Sequence, residues 1–254
     1  MKRLTKLLGL VTLSAACITN AFATPVTRAD VTGDTQNLAT GAPSVIDVVG
    51  CYSATACTLE DFANGATMTV NGITISGVSL DFTAGAYDGM DLSSIEFYGL
   101  DNVIDPYTGG FGMRGTGGTT FPLDMFGFDS GDMDITFNIA TMAGLEMIGL
   151  GAVNQVFGGS NYTSDLFLDG NNGASVSFAD SDSNNTGIET AAFAATSSID
   201  FTAAFSNFAD TDGFLFHDGF QFALATQSIP EPGSLVVLLA GLAYFARKKT
   251  LMIK

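Results

Sequence analysis

TMTVNGITIS, residues 67 to 76, restricts the fold more than any other stretch of the chain. Asn71-Gly72 suits a two-residue turn, which sets Val70 opposite Ile73 and Met68 opposite Ile75. All four apolar side chains then share one side of a hairpin. Val78, Leu80 and Phe82 continue the period of two. DMDITFNIA repeats it, with Met133, Ile135, Phe137 and Ile139 inward and Asp132, Asp134, Thr136 and Asn138 outward. ASVSFAD adds Ala174, Val176 and Phe178, and SIDF adds Ile199 and Phe201.

GFLFHDGFQFAL tests the register of a second turn. A two-residue Asp218-Gly219 loop would split the aromatics between faces. A three-residue loop, His217 to Gly219 with Gly219 in the left-handed region, pairs Phe216 with Phe220 and Phe214 with Phe222, and that is the predicted hairpin. Thr186-Gly187-Ile188-Glu189 fits a capping box, so one short helix is expected over the following TAAFAAT. Thr24 to about Pro43 reads as a lead-in or an edge strand. Short alternating strands separated by Gly, Asn and Asp, without a sustained helical period or an internal repeat, predict an all-β fold. The expected architecture is an antiparallel β-sandwich, jelly-roll-like.

The two ends read differently. Lys2, Arg3 and Lys6 precede an apolar stretch from Leu7 to Ile18, and Ala21-Phe22-Ala23 places small residues where signal peptidase needs them. Residues 1–23 are therefore expected to be a signal peptide handled by the general secretion machinery. At the other end, the apolar run 233–246 is short of the roughly 20 residues that span about 30 Å of hydrocarbon. Pro230 and Pro232 keep the backbone ahead of it extended, the form a processing enzyme binds. Arg247, Lys248 and Lys249 fix its orientation, with residues 24–228 outside.

Ile229-Pro230-Glu231-Pro232, the apolar helix and Arg247-Lys248-Lys249 together resemble the PEP-CTERM sorting signal of Gram-negative bacteria that make exopolysaccharide. The resemblance covers residues 229–254. It implies recognition by an exosortase, a membrane protease or transpeptidase acting near Pro230, Glu231 and Pro232. The precursor would be tethered transiently in the inner membrane and then reach the cell surface or extracellular matrix. The chain therefore divides into a signal peptide, an ectodomain at 24–228 and a sorting signal with one short transmembrane helix.

Residues 24–228 carry 25 acidic residues against Arg28 and Arg114, and no lysine. A net charge near −23 repels nucleic acid and anionic lipid and leaves cations as favoured partners. Solubility of an apolar chain explains the same acidity. About 205 residues suffice for one core. Cys17 leaves with the signal peptide, and Cys51 and Cys57 in CYSATAC are expected to close a local disulfide.

Asp180, Asp182 and Asn184 in DSDSNNTGIE, and Asp210 and Asp212 in DTDG, offer oxygen ligands in tight turns. Two readings stand: turn chemistry, or a calcium site, since Ca2+ takes about six to eight oxygens. No run matches an EF-hand, because Asn185 stands where its glycine belongs and Ala191 where its glutamate belongs. His217 is the single histidine and reads as turn chemistry, and no Gly-x-Ser-x-Gly occurs. Two carboxylates suffice for glycoside hydrolysis, so the acids neither exclude nor assign it. No catalytic residue is assigned. Without tryptophan, a sugar platform would come from Tyr87, Tyr98, Tyr107 or Tyr162. Gly110-Phe111-Gly112-Met113-Arg114-Gly115 matches a dinucleotide fingerprint formally, but Gly117-Gly118 cannot start a helix. The stretch is expected to be a flexible surface loop, with Arg114 exposed or paired to an acid.

The function expected from all this is an interaction or structural role at the cell surface or in an exopolysaccharide matrix, as in biofilm. The alternative is a carbohydrate-binding or carbohydrate-active sandwich, with or without calcium.

Overall fold

The computed structural model describes residues 38–39, 46–85, 87, 90–117, 125–126, 129–158, 162–181, 187–209 and 214–229. The signal peptide, the triplet Pro230-Glu231-Pro232, the run 233–246 and Arg247 to Lys249 lie outside them. Among the described residues, no helix is long and apolar enough to cross a membrane.

The described chain is almost wholly antiparallel β-structure. In order come β1 (Ile46–Val49), β2 (Ala56–Thr58), the five-residue helix α1 (Leu59–Ala63), β3 (Thr67–Val70), β4 (Ile73–Gly85), β5 (Ile95–Leu100) and β6 (Gly109–Gly115). There follow β7 (Met125–Phe126), β8 (Asp129–Thr141), β9 (Leu145–Gly158), β10 (Tyr162–Gly170), β11 (Ser175–Ser181), β12 (Glu189–Thr196), β13 (Ser198–Ala209) and β14 (Phe214–Ser228). Sheet 1 runs β1-β3-β4-β8-β13-β10-β11, and sheet 2 runs β12-β9-β14-β6-β5-β2, with β7 paired to β14. From β8 onward the chain changes sheet at every connection except that between β10 and β11.

The sheets meet through phenylalanine. Phe137, Phe201 and Phe205 from sheet 1 pack against Phe97, Phe220 and Phe222 from sheet 2, all in one buried cluster. Phe137 stacks on Phe222 with centroids 5.2 Å apart, and Phe97 meets Phe137 edge-on at 5.9 Å. Each such contact adds about 0.5–1.5 kcal/mol beyond the area it buries. The predicted inward residues Met133, Ile135, Phe137, Ile139, Ala174, Val176, Phe178, Ile199 and Phe201 are all buried in this cluster.

The hairpin at Asn71-Gly72 forms in the expected register, Val70 to Ile73 and Met68 to Ile75. Both turn residues have positive φ, 49° and 80°, the form that matches strand twist. The apolar phase along β4 moves from odd to even positions between Ile75 and Val78. A bulge between Ser76 and Ser79 absorbs the extra residue, with Gly77 at φ 61°.

Three expectations are corrected. His217 to Gly219 is no hairpin: β14 runs straight through and pairs with β9, with a bulge between His217 and Gly219. Gly219 does take a positive φ, 105°, but what demands glycine is crowding, since a Cβ there would stand 1.7 Å from the carbonyl oxygen of Met113 on β6. The helix expected after Thr186 is strand β12, paired with β9. Alanine's helix preference is worth only tenths of a kcal/mol per residue, about the least of the terms here, against an open edge of β9. Among the described residues the α-helix that does form is α1, whose capping box is Thr58 with Asp61: Asp61 N–H donates to Thr58 Oγ1 at 3.0 Å, and Thr58 N–H to Asp61 Oδ2 at 2.9 Å. Third, Gly110 to Gly115 is no surface loop but lies in β6, between β5 and β14.

Candidate ligand-binding face

The glycines of β6 explain the outer face of sheet 2. Phe111 and Met113 point into the core, so Gly110, Gly112 and Arg114 fall on the other side. On β5, Phe97 is in the core, and Glu96 and Tyr98 face outward as direct register partners of Arg114 and Gly112. Gly112 carries no side chain because the Tyr98 ring occupies that space: a Cβ would stand 2.2 Å from its Cζ. The Arg114 guanidinium lies over the ring, Cζ 4.2 Å from its centroid.

Glu96 is fully buried. Its Oε1 accepts from Arg114 Nε at 2.7 Å, and its Oε2 accepts from the Gly117 N–H at 3.1 Å and from the Tyr52 hydroxyl. A carboxylate with both oxygens so occupied anchors a guanidinium. Tyr98 Oη accepts from Gln221 Nε2 at 2.9 Å, and Gln221 Oε1 accepts from the Leu38 N–H at 2.9 Å. One network therefore links β5, β6, β14 and the segment at Leu38.

Arg114 keeps 38% of its side chain exposed, and Tyr52 is 51% exposed. Tyr52 sits in the loop that the Cys51–Cys57 disulfide closes. Asp61 Oδ2 ties both flanks of that loop, accepting from the Tyr52 N–H at 3.1 Å as well as from Thr58. Partial burial, then the hydrogen bond to Glu96 and its charge, raises the Tyr52 pKa; burial likewise raises that of Tyr98. Both phenols stay protonated, and Tyr52 donates its hydroxyl hydrogen bond to Glu96.

The rest of this outer face is closed. Leu38, Leu100, Tyr107, Ile148, Val153 and Ile188 form a second apolar cluster there, and Tyr107 lies against Gly151. Tyr87, Tyr107 and Tyr162 are buried and cannot serve as sugar platforms, which leaves Tyr98 of the four expected. Tyr52 was missed; its place inside CYSATAC was the available signal.

The predicted disulfide is present. Of the calcium candidates, Asp182, Asn184, Asp210 and Asp212 lie outside the described residues, and Asp180 pairs with Ser164 along β11 and β10. His217 lies on β14 opposite Val156. No group of three His, Cys, Asp or Glu suited to a metal occurs among the described residues.

No family model matches the chain, and no curated protein does. Among solved structures, TmCBM61, in complex with β-1,4-galactotriose, is similar over 58% of this chain and 88% of its own, at 11% identity and a TM-score of 0.27. The enzymatically active domain of bacteriophage CBA120 tailspike protein 4 is similar over 61% of this chain but 20% of its own, at 11% identity and a TM-score of 0.24. At TM-scores this low, neither likeness bears on fold or ligand.

Proposed function

We propose that this chain is an exported, jelly-roll-like binding module that holds a neutral polysaccharide at Tyr52, Tyr98 and Arg114. The supporting observation is that Arg114, the one lysine or arginine between Arg28 and Arg247, is fixed against Tyr98 by a buried glutamate and still reaches solvent beside Tyr52. Sugar rings offer C–H faces to aromatic side chains and hydroxyl oxygens to a guanidinium. An ectodomain near −23 disfavours acidic glycans, so the ligand class is neutral. The signal peptide and the exosortase signal deliver this module to the cell surface or matrix, where exopolysaccharide is the available polymer.

The test is binding of immobilised neutral polysaccharides by residues 24–228, wild type against Tyr52→Ala. Removing an exposed aromatic contact is expected to weaken binding about tenfold or more. Undiminished binding by Tyr52→Ala rejects this face, and no binding by the wild type returns the module to a purely structural role. Delivery is tested separately: Glu231→Ala is expected to leave the precursor in the inner membrane, and normal surface arrival of that variant rejects the sorting reading.

A further inference from the structure

The last strand carries its ladder almost to the Pro-Glu-Pro triplet. Ser228, the final residue of β14, pairs with Leu145 at the start of β9, and the Ile229 N–H donates to the Gly144 carbonyl at 2.8 Å. Pro230 follows directly, and the apolar run begins at Gly233. From Ile229 to Gly233 the chain can reach at most about 14 Å. The headgroup layer on one side of a bilayer takes about 5–7 Å of that. With the run 233–246 in a membrane, the end of the sandwich at Ile229 has almost no room to stand clear of it.

That end is built unlike the rest of the domain. Two turns meet there: the Met142 N–H donates to the Gly72 carbonyl at 2.8 Å, and the Leu145 N–H to the Met142 carbonyl at 3.1 Å. The Met142 and Leu145 side chains lie over Gly72, where a Cβ would stand 2.6 Å from the Met142 sulfur and 3.2 Å from Leu145 Cδ1. Met142 is 60% exposed and Ile229 39%. The strands that end there lack charge over long stretches, since residues 62–80, 135–145, 190–199 and 219–230 hold neither acid nor base. Asp101 beside Asn71, Glu146 one residue up β9 and Asp200 two residues past Ser198 border the tip. In a domain whose acidity otherwise repels a membrane surface, this tip is the part that can approach one.

We propose that Met142, Leu145 and Ile229 sit in the headgroup layer of the bilayer while the precursor is tethered. The inference depends on the sorting reading above, which puts 233–246 in the membrane. Apolar side chains lose their contact with water there. The placement also sets an orientation. Met113 on β6 pairs with Phe220, nine residues up β14 from Ile229, so Arg114 stands about 30 Å from the tip at about 3.3 Å per residue. The face at Tyr52, Tyr98 and Arg114 is thus held away from the membrane, open to polymer before processing as well as after.

The chain has no tryptophan, so one introduced residue reports alone. The full chain carrying Met142→Trp is purified from the membranes of a secreting host and reconstituted into phosphatidylcholine vesicles, with Phe167→Trp as the comparison. Phe167 is 46% exposed in the row of Ala204 and Asp134, seven residues up β8 from Thr141, or about 23 Å. Met142→Trp is expected to shift its emission to the blue on reconstitution and to be quenched by brominated phosphatidylcholine, with Phe167→Trp unchanged. If Met142→Trp fails to fold, Ile229→Trp is read in its place. A chain that floats with the vesicles but shows neither shift nor quenching overturns the proposal and leaves the tether standing. Equal quenching at both positions overturns it too, and quenching that needs an added processing enzyme assigns the tip to that enzyme instead. A chain that does not float with the vesicles ends the tether reading and this inference together.

Discussion

The outer faces of the two sheets are built on opposite principles. Sheet 1 presents Asp81, Asp132, Asp134, Thr136 and Asp200 to solvent, so its strands alternate cleanly between apolar and polar. Sheet 2 presents Gly110, Gly112, Gly151, Ala223 and Ala225 on its outer side, and aromatic rings and an apolar cluster cover them. Small residues there are not turn signals. They are the floor on which Tyr98 and Tyr107 lie. The difference teaches that a strand covered on both faces loses its period of two, and that a glycine-rich strand reads as a loop until its neighbours are known.

The sharpest way to break this comparison is to put a side chain on that floor. Gly112→Val forces Tyr98 away, since even a Cβ would stand 2.2 Å from its ring, and Tyr98 carries both Gln221 and Arg114 with it. The expected loss is about 3 kcal/mol in urea unfolding, at the upper end for overpacking. Thr136→Val on the exposed face of sheet 1 should change stability by no more than about 0.5 kcal/mol. Equal effects at the two positions would show that the two outer faces are equivalent after all.

A smaller effect is expected from the ion pair. Arg114→Met leaves Glu96 buried without its counter-charge, which in a fully enclosed pair costs about 3–5 kcal/mol. With Arg114 38% exposed, solvent screens part of this, and the expected loss is about 2 kcal/mol. Adding Glu96→Gln should recover about half, because the uncompensated charge is gone. A double-mutant cycle without coupling would mean that Arg114 acts by stacking on Tyr98 and not through Glu96.

What was legible in the sequence follows the same division. On sheet 1 the hairpin register, the inward set of β8 and the inward residues of β11 and β13 could be read directly, because one face of each strand is wet. On sheet 2 the reading failed at β6, at β12 and at the supposed hairpin inside β14. Asp218-Gly219 has the composition of a turn, and only the approach of Met113 distinguishes a bulge from a loop. The candidate site was half visible. Arg114 stood out as a lone cation, expected to be exposed or paired to an acid, but Glu96 lies 18 residues back, about 60 Å of extended chain, and only the β5–β6 register joins them. Tyr52 needed the disulfide and Asp61 to place it.

The smallest expected effect tests whether the acidic face of sheet 1 is merely solvated. Asp81 and Asp134 are direct cross-strand partners, a like-charge pairing that is ordinarily unfavourable. Asp81→Lys converts it to an opposite-charge pair on a surface that otherwise has no lysine, so the variant should be more stable by about 0.5 kcal/mol at low salt. The gain should fade as ionic strength approaches 1 M, where charges beyond about 3 Å are screened. A Tm rise of about 1–2 °C that salt abolishes fits a face kept acidic for solubility, with repulsion tolerated as its cost. Loss of stability instead would mean that a cation from solution already bridges the two carboxylates, and that the outer face of sheet 1 is a binding surface in its own right.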